Sequence, residues 1–179
     1  MKSSRLILLS FLLTVLALAG CRQSTEVSGP VNYDGPLRQA QDVDMLYSEN
    51  DRVKVKLKAK KILEFKNNDR EFPEGIYLEF YDAKGILTST LKANHAFYFK
   101  ELDQWRGRGN VEVVNIEKKQ QLNTEELFWW PGTRKISTEK FVTIKLENEI
   151  IYGTGLDALQ DLSSYTIRKP AGSEFTIKD

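Results

Sequence analysis

Reactive side chains are almost missing from this sequence of 179 residues, which holds one cysteine and one histidine. A single thiol excludes a disulfide framework and a multi-thiolate zinc site. One imidazole leaves little for a metal cluster or a catalytic triad. An excess of one charge is missing too: 26 basic residues stand against 25 acidic, so no global field draws the chain to nucleic acid. Helical periodicity longer than two turns is absent after residue 50, and the one long hydrophobic run lies at the N-terminus. What is present is 41% hydrophobic and 11% aromatic residues, ample for a packed core in a chain about one domain long.

At the start, Lys2 and Arg5 precede Leu6 to Leu18, an almost unbroken apolar run. It falls short of the roughly 20 residues that a bilayer-spanning helix requires, so residues 1–20 read as a cleaved signal peptide. The run ends in Leu18-Ala19-Gly20-Cys21, which is similar to the bacterial lipobox, where small residues precede a cysteine that is diacylated and becomes the mature N-terminus. Cys21 is therefore expected to carry lipid and to hold the protein to a membrane surface beyond the cytoplasm. Loss of Lys2 and Arg5 leaves the exported part near neutral. Residues 21–40, with Ser24, Thr25, Ser28, Gly29, Pro30, Gly35 and Pro36, read as a flexible tether.

From residue 41 the pattern alternates with period two, most clearly in Val53-Lys54-Val55-Lys56-Leu57-Lys58. The alternation recurs at Ile76–Phe80, Val111–Val113 and Val142–Leu146, with candidate turns at 67–69, 82–85, 107–110, 131–133 and 147–149. Asp42 to Tyr47 has no decided period. The strands also repeat: Leu57-x-Ala59-x-x-Ile62, Leu91-x-Ala93-x-x-Ala96, Leu122-x-Thr124-x-x-Leu127 and Ile151-x-Gly153-x-x-Leu156 follow one another at intervals of about 30 residues. Each unit places a small residue two positions after an apolar one, as a tight bend between strands requires. The expectation is an all-β domain over 41–170, two antiparallel sheets burying a shared core, with a tail at 171–179.

These repeats, with Trp105-x-Gly107-x-Gly109-Asn110-Val111, Glu126-Leu127-Phe128-Trp129 and Ile151-Tyr152-Gly153-Thr154-Gly155-Leu156, resemble the LptC family of periplasmic lipopolysaccharide-export components. The resemblance spans residues 43 to 170 and departs from many members at the start, where they keep an uncleaved transmembrane helix. It implies a twisted, open β-jelly roll that binds the acyl chains of lipopolysaccharide between its sheets and needs no cofactor or metal. On the period-two parity, the lining would come from Val55, Leu57, Leu78, Phe80, Leu91, Phe97, Phe99, Val111, Val113, Val142, Ile144 and Leu156; the plainer reading makes each of them core. By the same resemblance, the edge at Tyr165, Thr166, Ile167 and Arg168 would add a strand of a periplasmic bridge protein, and the edge at residues 43–57 would meet an inner-membrane ABC transporter. The expected location is the periplasm of a Gram-negative bacterium, with the inner membrane as the expected anchor, though Arg22 beside the lipid site does not itself decide between the two membranes.

Other features carry rival readings. Lys54, Lys56, Lys58, Lys60 and Lys61 form a basic stripe that suits lipid phosphates or, more simply, a solvated strand face. Trp129 and Trp130 should point to opposite faces of one strand. His95 has no second histidine or thiol to join it in nucleophilic catalysis, and the glycine pairs do not sit between a strand and a helix, so an enzyme is disfavoured. The alternative to a lipid carrier is a structural or protein-binding envelope lipoprotein, a β-sandwich without a lipid groove.

Overall fold

Alternating sequence becomes strand throughout the described part of the chain, residues 33–175 of a computed structural model. The signal-peptide run, Cys21 and most of the tether lie outside the described residues. The strands are β1 (Arg38–Glu49), β2 (Arg52–Glu64), β3 (Arg70–Phe72), β4 (Ile76–Tyr81), β5 (Leu87–Ala93), β6 (His95–Phe99), β7 (Gln104–Asn115), β8 (Gln120–Trp130), β9 (Lys135–Lys145), β10 (Glu149–Leu159) and β11 (Tyr165–Phe175). Among the described residues the only helical element is a 3₁₀ turn, Pro131–Thr133. The segment with no decided period, Asp42 to Tyr47, is strand.

All pairings are antiparallel, and the hydrogen bonding is continuous, so the two expected sheets are halves of one sheet. From β1 the order runs to β2, then across the short strands β3 and β4 to β6 and β5, then to β7, β8, β9, β10 and β11. This sheet folds over a crease. The repeats explain the crease. In a regular strand the third and sixth residues of Leu-x-Ala-x-x-Ala would face opposite ways. Here Leu57, Ala59 and Ile62 are all buried, as are Leu91, Ala93 and Ala96, and Leu122, Thr124 and Leu127. The register breaks between Thr124 and Phe128 and between Thr154 and Leu156, so the extra residue restores the inward direction beyond the crease. The small residue before it lets the two halves close on each other.

Three expectations on boundaries change. The candidate turn at 107–110 is a bulge inside the single strand β7, with Gly109 at φ 71° and Asn110 at φ 47°. The backbone there adopts left-handed dihedrals that glycine and asparagine tolerate, so the strand bends without ending. β1 begins at Arg38, inside the expected tether, and β11 runs to Phe175, inside the expected tail. Pro170 does not stop β11, because it sits on an edge strand opposite Gly153 where no second neighbour needs its N–H.

The core is contiguous. Phe72, Leu78, Val111, Val113, Leu122, Leu127, Ile136, Val142, Ile144, Leu156 and Leu162 are each no more than 2% exposed. The β4–β5 turn is closed by Asp82, whose carboxylate accepts hydrogen bonds from the Lys84 and Ile86 amides at 2.7 and 2.9 Å. Those bonds, the Ile86 one first, hold its carboxyl below the ordinary aspartate range.

Candidate functional site

Among the described residues the buried apolar side chains gather in the interior between the two halves of the sheet. Nine of the twelve expected lining residues are fully buried on its walls: Leu57, Leu78, Phe80, Leu91, Val111, Val113, Val142, Ile144 and Leu156. Val55 packs against them from a half-buried position. Phe97 and Phe99 correct the parity: they face outward. In β6 it is Ala96 that is buried and Tyr98 that packs on the core, so the residues between them turn to the other face. There Phe97 and Phe99 stack on each other, and the Arg106 guanidinium lies 5.1 and 5.3 Å from their ring centres.

The walls meet through aromatic rings that the alternation alone did not single out. Phe80 of β4 meets Trp129 of β8 edge to face at 5.2 Å, and Trp129 continues to Trp105 at 5.8 Å. Trp105 in turn contacts Tyr98 at 4.9 Å and Phe72 at 5.3 Å. Trp129 donates its indole N–H to Gln160 Oε1 at 2.9 Å, which satisfies its polar atom inside the fold. Trp130 points to the opposite face. Burial pushes the Tyr98 phenol up, and its hydrogen bond to Asp103 adds to that. One cavity inside, bordered by Ile76, Leu78, Leu91, Ala96, Trp105, Leu127 and Trp129, is about 10 Å³, room for a single water. Around it the two walls pack against each other.

Along β1 the wall runs on beyond the core. Register places Val43 opposite Ala59, Met45 opposite Leu57 and Tyr47 opposite Val55, so these β1 residues share the inward face of β2. Yet Met45 is 39% exposed and Tyr47 62% exposed. The sheet overhangs here and forms an apolar ledge continuous with the buried wall. Val43-x-Met45-x-Tyr47 carries the period-two signal that would have found it. The outward face of β1 differs: it presents Asp44, which pairs with Lys56 at 3.4 Å, and Leu46.

β1 and β11 are the two long edges of the sheet, each hydrogen-bonded on one side only among the described residues. On β11, Tyr165 and Ile167 turn inward against the core, while Thr166 and Arg168 turn out. Arg168 Nε donates to Asp157 at 2.8 Å, and its other nitrogens reach Glu139 and the carbonyls of Thr138 and Leu156. The two carboxylates raise its already high pKa. This knot clamps β11 to β10 across the crease.

Lys54, Lys56 and Lys58 lie on the outer face of β2, where Glu79 and Tyr77 stand opposite Lys56 and Lys58, and Lys60 and Lys61 fall at the crease. His95 also faces outward, its Nε2 2.9 Å from Glu71 Oε1. Among the described residues no group of three or more His, Cys, Asp or Glu is placed to hold a metal ion. No helix among them is long and apolar enough to cross a membrane.

A family model described as lipopolysaccharide-assembly, LptC-related, matches residues 6–169. No curated protein sequence matches the chain.

Proposed function

Because the chain belongs to the LptC-related lipopolysaccharide-assembly family, a non-enzymatic, periplasm-facing component of lipopolysaccharide transport, we propose that it carries lipopolysaccharide by its acyl chains between the two halves of the β-jelly roll. It would receive the lipid from the inner-membrane ABC transporter at the β1 edge and pass it to a periplasmic bridge protein docked on β11. The observation that supports this most directly is the ledge. Val43, Met45 and Tyr47 extend a buried apolar wall into solvent at the mouth of the fold, where a fatty chain can be taken up in part before the walls separate. Shielding hydrocarbon from water is worth about 0.8 kcal/mol per methylene, which accounts for a protein that does no chemistry on its cargo.

Two measurements test the reading. A photo-reactive residue at Tyr47 is expected to yield lipopolysaccharide adducts in cells, whereas the same residue at Leu46, equally exposed on the opposite face, is expected to yield few. Equal yields at both sites refute entry along the ledge. Phe80 and Val113 are poorer positions for such a probe, being 3% and 0% exposed, because a larger side chain there would overpack the core. Depletion of the protein is expected to leave newly made lipopolysaccharide at the inner membrane; normal delivery would instead favour a structural envelope lipoprotein.

The anchor belongs to the same proposal. Acylation at Cys21 would keep the domain at the membrane from which the lipid is extracted. Mass spectrometry of the membrane-bound protein should find a diacylated N-terminal Cys21, and Cys21→Ala should leave a precursor that keeps residues 1–20 and lacks the acyl mass. A wild-type protein retaining its first 20 residues would show that an uncleaved anchor helix does the holding.

A further inference from the structure

The outer face of the sheet carries a cavity of about 450 Å³ where β8, β9, β10 and β11 end. It shares none of the residues assigned to the acyl-chain route, although its border also takes in the core residues Ile136, Ala158 and Tyr165. Strand parity turns Trp130, Lys135, Ser137, Asp157, Thr166 and the apolar Leu159 to this face, because Trp129, Ile136, Ala158 and Tyr165 between them face the core. Ser164 closes the depression from the loop before β11.

The lining has a definite chemistry. Trp130 supplies a half-buried indole, backed at 6.2 Å by the stacked ring of Phe128. Around it stand the hydroxyls of Ser137, Ser164 and Thr166 and the Lys135 ammonium, whose side chains make no hydrogen bond or ion pair among the described residues. Asp157 is held in place by Arg168 at 2.8 Å and keeps further acceptor capacity on its two oxygens. An acyl chain would strip water from all of these polar groups without replacing it. A bare phosphate would meet the Asp157 carboxylate. A sugar satisfies the set: the C–H face of a pyranose lies on an indole, its hydroxyls both donate to a carboxylate and accept from hydroxyls, and an acid group on the ring would pair with Lys135. The volume lies within the roughly 300–1,000 Å³ typical of small-molecule sites.

The geometry points to a saccharide-binding site centred on Trp130 and Asp157, taking a pyranose chain that carries an acidic group. Two envelope sources share that chemistry, the core oligosaccharide of lipopolysaccharide and the glycan of the cell wall. The test is saturation-transfer NMR on the full chain in detergent with two acyl-free probes: deacylated core oligosaccharide, and a tetrasaccharide of N-acetylglucosamine and N-acetylmuramic acid. Transfer to ring protons of either probe is expected, with affinity falling at least tenfold in Trp130→Ala and little changed in Trp130→Phe. Lys135→Glu, on an exposed residue whose change leaves the fold intact, is expected to weaken binding of the acidic sugar severalfold. Response to the first probe alone ties the site to the cargo, and response to the second alone ties it to the wall. Absence of transfer from both, or binding unchanged in both Trp130→Ala and Lys135→Glu, overturns the assignment. Loading of whole lipopolysaccharide at the β1 ledge is expected to survive these variants, so this site and the acyl-chain route fail separately.

Discussion

Replacing Gly153 by valine is expected to unseat the last strand. A Cβ at this position would stand 2.3 Å from Ile167 Cγ2, 2.8 Å from the Lys169 carbonyl oxygen and 3.3 Å from Pro170 Cα. The first of these atoms belongs to a side chain that can turn. The other two are backbone of β11, held in register with β10. The side chain therefore cannot be accommodated by a rotamer change, and the strands must separate. Overpacking of this kind costs about 3 kcal/mol at the upper end of its usual range, against a total stability of roughly 5–15 kcal/mol for a domain. A fall in Tm of about 10 °C is the expected reading for a domain of this size. Amide exchange should rise first along β11. Gly132→Ala is the control, because its Cβ would meet only Asp103 Oδ2 at an ordinary 3.8 Å. If Gly153→Val melts with the wild type and keeps β11 protected, the close packing of Ile167 and Lys169 over β10 is wrong. Since β11 is also the proposed docking edge, the variant should lose strand addition by the bridge protein before it loses its fold.

Gly153 shows how much of this fold was legible in the sequence. Its place in the fourth repeat, two residues after Ile151 and three before Leu156, marked it as a bend position. With the alternation on either side, that pointed to an all-β domain of repeated bent strands; the jelly roll itself was implied only by the resemblance to the LptC family, which the order and spacing of the repeats carried. The crease itself was not legible as a bulge. Period-two parity assumes an unbroken strand, and it worked where the counted residues lie on one side of the crease, as at Val111 and Val113. It failed in β6, which starts beyond the crease, so Phe97 and Phe99 were assigned inward while the structure turns them out under Arg106. The Gly107–Asn110 stretch failed for a related reason: glycine and asparagine signal left-handed backbone, and a bulge needs this as much as a turn does. The ledge on β1 was missed because Leu46, on the other face, makes Met45-Leu46-Tyr47 a continuous apolar run and hides the alternation of Val43, Met45 and Tyr47. Only its pairing with β2 settles which face Met45 and Tyr47 share.

That ledge carries the prediction with the larger functional effect. Met45→Glu/Tyr47→Glu is expected to fold as the wild type does, because both side chains are already well exposed and neither fills the core. It should nevertheless bind lipopolysaccharide poorly. Two carboxylates on the inward face would have to give up water as hydrocarbon slides past them, and the contact with two or three methylenes would be lost. Together these cost about 2 kcal/mol, a roughly thirtyfold drop in loading. Leu46→Glu adds a carboxylate directly opposite Lys56, on the outer face, and should load normally. The pair of variants separates the route from the charge: a nonspecific electrostatic effect would weaken both, whereas blockage of an apolar entry weakens only the first. The measurement is the amount of lipopolysaccharide copurifying with each variant, normalised to folded protein. Equal loading of all three proteins would mean that acyl chains enter elsewhere, at the β11 edge or through the far end of the fold. In cells the double variant should accumulate lipopolysaccharide at the inner membrane even when its abundance matches the wild type, because the defect lies in uptake and not in the stability of the carrier.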